Sequence, residues 1–61
     1  MEEFILKKIF TLRLEREQLD GLQADAKDLM MVGLIKQEIA RNEGALDLYR
    51  KIADQHGWAE A

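Results

Sequence analysis

The sequence predicts an all-α protein, an unequal antiparallel hairpin of two helices that pairs with a second copy into a four-helix bundle. Three observations carry this expectation. Proline is absent, most positions hold good helix formers such as Leu, Ala, Glu, Lys, Arg, Gln and Met, and the apolar residues recur at three and four rather than at two. At 61 residues the chain has room for one small domain, 1–61. A chain of this length buries only about 60% of its unfolded surface, so it needs outside support. Without Cys, a disulfide cannot provide it. Self-association can.

The first helix is expected over about 2–20. Its stripe is Ile5, Ile9, Leu12, Arg16 and Leu19, in alternating steps of four and three. Phe4, Leu6, Phe10 and Leu14 widen that stripe until most of the N-terminal circumference is apolar, which calls for burial on more than one side. Arg16 breaks the stripe, with its stem over apolar surface and its head free to reach water or a carboxylate.

The two stripes do not share a register. Joining them requires a two-residue skip, placed here at Asp20-Gly21-Leu22-Gln23-Ala24-Asp25. A turn at about 21–25 follows, with Gly21 as a left-handed cap and Asp25 as the next N-cap.

The second helix is expected over about 25–56. Val32, Ile35, Ile39, Asn42, Leu46, Tyr49, Ala53 and His56 make a strict 3-4-3-4 seam with polar breaks at Asn42 and His56. A buried Asn at such a position fixes register; the alternative is that Asn42 faces solvent near a bundle end. Gly33 and Gly44 fall inside the helix, as tolerated weak points or as sites of close helix approach. Gly57 supplies the stop, with Trp58 folding back on Ala53. A three-helix bundle broken at Arg41-Asn42-Glu43-Gly44 is the structural alternative, and the unbroken seam counts against it.

Folding about residue 23 sets Leu12 near Leu34 or Ile35 and Ile5 near Arg41 or Asn42. The first arm is then used up by about Gly44. A second apolar line, Leu34, Ala45, Leu48 and Ile52, is expected on the far side of the second helix. The expected oligomer interface is Val32, Ile35, Ile39, Asn42, Leu46, Tyr49, Ile52 and Ala53. Met30-Met31 reads first as core filling and second as an adaptable docking surface.

Chemistry has little raw material here. Apolar residues make up 48% and charged residues 34%, a globular balance. His56 is the only histidine, Ser is absent and Thr11 is the sole threonine, so a hydroxyl nucleophile with a His base is not expected. Glu-x-x-His, the signature of a di-iron bundle, is missing, and the glycines stand singly rather than as a phosphate loop. The sequence therefore predicts no enzyme, no catalytic residue, no metal, no cofactor and no small-molecule substrate.

Charge argues in the same direction. Residues 1–22 carry four basic and five acidic side chains, residues 23–61 five and seven. Neither half has the basic excess of a nucleic-acid or membrane-surface binder. Glu3–Lys7, Arg16–Asp20, Asp47–Lys51, Arg50–Asp54 and Glu38–Arg41 are spaced for helix-surface pairs. The longest apolar run, Leu29–Ile35, is too short to cross a bilayer, and the first residues lack a signal-peptide pattern. A soluble cytoplasmic chain is expected.

Two resemblances add expectations of their own. The layout resembles the plasmid copy-number regulators that bind paired RNA loops through one face of a four-helix bundle, though no basic face is concentrated here. Phe10-Thr11-Leu12-Arg13, Ala26 to Leu29, Lys36-Gln37 with Arg41, and Leu48-Tyr49-Arg50-Lys51 followed by His56 and Trp58 resemble small adaptors that promote phycobilisome degradation. That alignment takes insertions in both helices, and Glu38 and Ala40 stand where the family is apolar. The resemblance implies Tyr49, Arg50, Lys51 and Trp58 as candidate partner-binding residues.

The leading expectation is a non-enzymatic protein–protein interaction module, an adaptor, inhibitor or regulator of one larger protein. The alternatives are a phycobilisome-degradation-adaptor-like protein, a nucleic-acid-binding regulator using Lys7, Lys8, Arg13 and Arg16, and membrane-surface association through Phe4-Ile5-Leu6 and Ile9-Phe10.

Overall fold

A computed structural model describes residues 1–59; the last two residues of the expected 1–61 domain lie outside the described residues. Two α-helices, α1 (Glu2–Asp25) and α2 (Leu29–His56), pack along their length as a hairpin, with no strand among the described residues. The body measures 42 × 16 × 12 Å. Its long dimension is the length of α2, since 28 residues at 1.5 Å each make about 42 Å.

α1 starts without a side-chain cap. Its first turn closes through the Ile5 amide, which donates to the Met1 carbonyl at 3.0 Å. Glu2 and Glu3 there place negative charge against the positive end of the helix dipole. α2 is better finished at both ends. The Asp28 side chain accepts from the Met30 amide at 2.7 Å, an N-cap bond. Gly57 ends the helix at φ 70°, ψ 23°. The Gly57 amide donates to the Asp54 carbonyl at 3.2 Å and the Trp58 amide to the Ala53 carbonyl at 2.9 Å. This is a Schellman ending, and Trp58 packs on the cluster that contains Ala53.

The turn lies later than the sequence suggested. Gly21 is helical and has no positive φ, and the reversal occurs at Ala26-Lys27-Asp28. The reason is visible in phase. The α1 stripe continues in step through Gln23 and Ala26, both half-buried, so the register break falls after Ala26. Asp28, not Asp25, therefore becomes the N-cap.

A later turn shifts the whole pairing. Ile5 and Ile9 pack with Ala53, joined by Leu6, Leu46, Tyr49, Ile52 and Trp58. Asn42 donates from Nδ2 to the Leu12 carbonyl at 2.9 Å. The expectation that Ile5 sits beside Arg41 or Asn42, and Leu12 beside Leu34 or Ile35, is thus corrected by roughly two to three helical turns. With arms of 24 and 28 residues, α1 reaches the far end of α2 instead of stopping near Gly44.

Candidate interaction surface

Burial divides the hairpin into a narrow core and a broad apolar exterior. Among the described residues, Ile5, Ile9, Ile35, Ile39 and Ala53 are the buried apolar ones, with Asn42 the buried polar one. Of the expected interface residues, Ile35, Ile39, Asn42 and Ala53 are buried, and Val32, Leu46, Tyr49 and Ile52 half-buried, within the single chain. A second molecule meets only what these leave uncovered.

What remains uncovered is extensive. Phe4, Phe10, Leu22, Leu34 and Leu48 are each more than half exposed. Phe4 and Phe10 line a shallow groove of about 720 Å³ with Glu3, Leu6 and Lys7, and the Lys8 ammonium sits 5.9 Å from the Phe4 ring centroid. At the turn, Met30 and Met31 are exposed and Leu29 is 90% exposed. The core-filling expectation for Met30-Met31 is corrected: both lie in the first turn of α2 ahead of the seam residue Val32, and both are exposed.

Ion pairs lie on both helices. The Arg16 Nε donates to Asp20 at 3.1 Å, and its Nη1 reaches across to Glu43 on α2. These carboxylates, Glu43 first and then Asp20, raise the Arg16 pKa above its ordinary value. Lys51 pairs with Asp47 at 3.2 Å, and Arg41 with Glu38 at 3.4 Å, on exposed helix surface. Arg16, a candidate phosphate contact, thus has its guanidinium engaged by carboxylates.

The expected partner-binding residues do not all converge. Arg50, Lys51 and Trp58 line a cleft of about 490 Å³ with Asp47, Ala53 and Asp54. Trp58 is half-buried and stacks on His56, ring centroids 4.5 Å apart at 13°. Tyr49 packs into the core cluster instead. No group of three His, Asp or Glu side chains among the described residues is placed to hold a metal ion. No helix among them is long and apolar enough to cross a membrane.

No protein-family model, curated protein or solved structure matches the chain.

Proposed function

We propose that the protein is a non-enzymatic interaction module whose first partner is a second copy of itself, the resulting four-helix bundle acting as adaptor, inhibitor or regulator of a larger protein. One observation carries this reading. Among the described residues, the large apolar side chains left exposed outnumber those buried, and both helices carry them. Exposed apolar side chains on a helical face are what helix-to-helix docking uses. A cytoplasmic setting accords with this reading and with the mixed surface charge.

Light scattering coupled to size-exclusion chromatography tests the assembly step. The expected particle has about twice the 7.1 kDa mass of the chain. A sharp monomeric peak at every loading concentration contradicts it. Salt separates a protein partner from a nucleic acid, because phosphate binding weakens steeply as salt rises while apolar docking responds little.

A further inference from the structure

We infer that the second copy docks on one flank of the hairpin, the flank built by the residues immediately preceding each core-seam position. The assignment rests on the self-association reading and gives it a face. Reversing one helix relative to its neighbour also reverses the direction in which its residues wind. In an antiparallel pair, residues preceding the seam on both helices therefore share one side, and residues following it share the other.

The ion pair between Arg16 and Glu43 identifies the second side, since Glu43 follows the seam residue Asn42. That side is charged: Arg13, Glu17, Lys36, Asp47 and Asp54 stand on it with Glu43. The preceding side is different. It carries Phe4 and Leu22 from α1 with Leu34, Ala45, Leu48 and Ile52 from α2. Phe4, Leu22, Leu34 and Leu48 are each more than half exposed.

Charge and area both favour a copy of the same chain. The ionic residues on this flank are Lys8, Glu15, Asp25, Glu38 and Arg41, which leave one negative charge, and Glu38 already pairs with Arg41 at 3.4 Å. A face of such low net charge repels a copy of itself little. The chain exposes 4872 Å², whereas a folded monomer of its mass exposes about 4,100 Å² by the usual scaling. The excess, roughly 800 Å², equals one partner's share of a standard interface. A two-fold arrangement that lays this flank against itself closes the assembly.

Sedimentation velocity on the full chain, with circular dichroism beside it, tests the face. Leu48→Asp is expected to sediment as a monomer. Leu48→Ala, which adds no charge at an exposed site and keeps the hairpin, is expected to weaken dimerisation at least about tenfold while retaining its helical signal. Lys36→Glu, on the charged side, is expected to leave the dissociation constant within about twofold. Wild-type affinity in Leu48→Ala, or equal weakening by Lys36→Glu, overturns this face while leaving self-association standing. A wild-type chain that stays at 7.1 kDa throughout the concentration range overturns both.

Discussion

Asn42 is the one buried polar residue among those described, and its hydrogen bonding is half complete. Nδ2 donates to the Leu12 carbonyl, while Oδ1 is buried with no hydrogen-bond partner. An arrangement of this kind lowers stability while favouring the register that keeps the bond. Asn42→Leu is therefore expected to stabilise the fold by about 1 kcal/mol in urea titration; a lower midpoint would show the Leu12 bond outweighs the orphaned oxygen. Asp28 makes the opposite kind of contribution. Asp28→Ala is expected to cost about 1 kcal/mol through loss of the cap bond to Met30, read from the same titration. Arg16 adds no pH switch near neutrality. Its raised folded-state pKa stabilises the fold below the unfolded value and is lost only above the folded one, beyond the ordinary arginine range. Charge-neutralising Arg16→Gln should leave the shape of the stability–pH curve near neutrality unchanged.

At the scale of elements, the helices end by different means, and this decided how much could be read from the sequence. Gly57 and Trp58 were legible because a Schellman ending needs a residue at positive φ followed by an apolar contact, both written locally. Both stripes were legible too, for Ile5, Ile9, Ile35, Ile39 and Ala53 all fall on them. The turn was not. Gly21 offered a plausible cap and Asp25 a plausible start, yet Gln23 and Ala26 extend the α1 stripe in half-buried positions, and tertiary packing overrides a single glycine's propensity. The unpartnered surface was partly legible, since Leu34 and Leu48 lie off the seam at helical spacing. Met30 and Met31 were not, because their exposure depends on where the turn falls. Gly44 gives a test at this scale. A Cβ there meets nothing within 4 Å in the hairpin, so Gly44→Ala is expected to stabilise by about 1 kcal/mol. A loss of stability would mean a second chain approaches closely at that point.

For the whole molecule, two helices bury too little to account for the apolar residues the chain carries. Among the described residues only five apolar ones are buried, while Phe4, Leu34 and Leu48 on one flank are each more than half exposed. The proposed dimer ties the folded state to a second copy, so association should appear in the melting temperature by mass action. The decisive measurement is the thermal melt followed by circular dichroism across a concentration series from about 5 µM to about 500 µM, chosen so that mass action shifts the midpoint measurably. The expected result is a midpoint that climbs by several degrees as the protein becomes more concentrated. Superimposable, cooperative melts at every concentration would contradict the account, for they would show a hairpin stable alone.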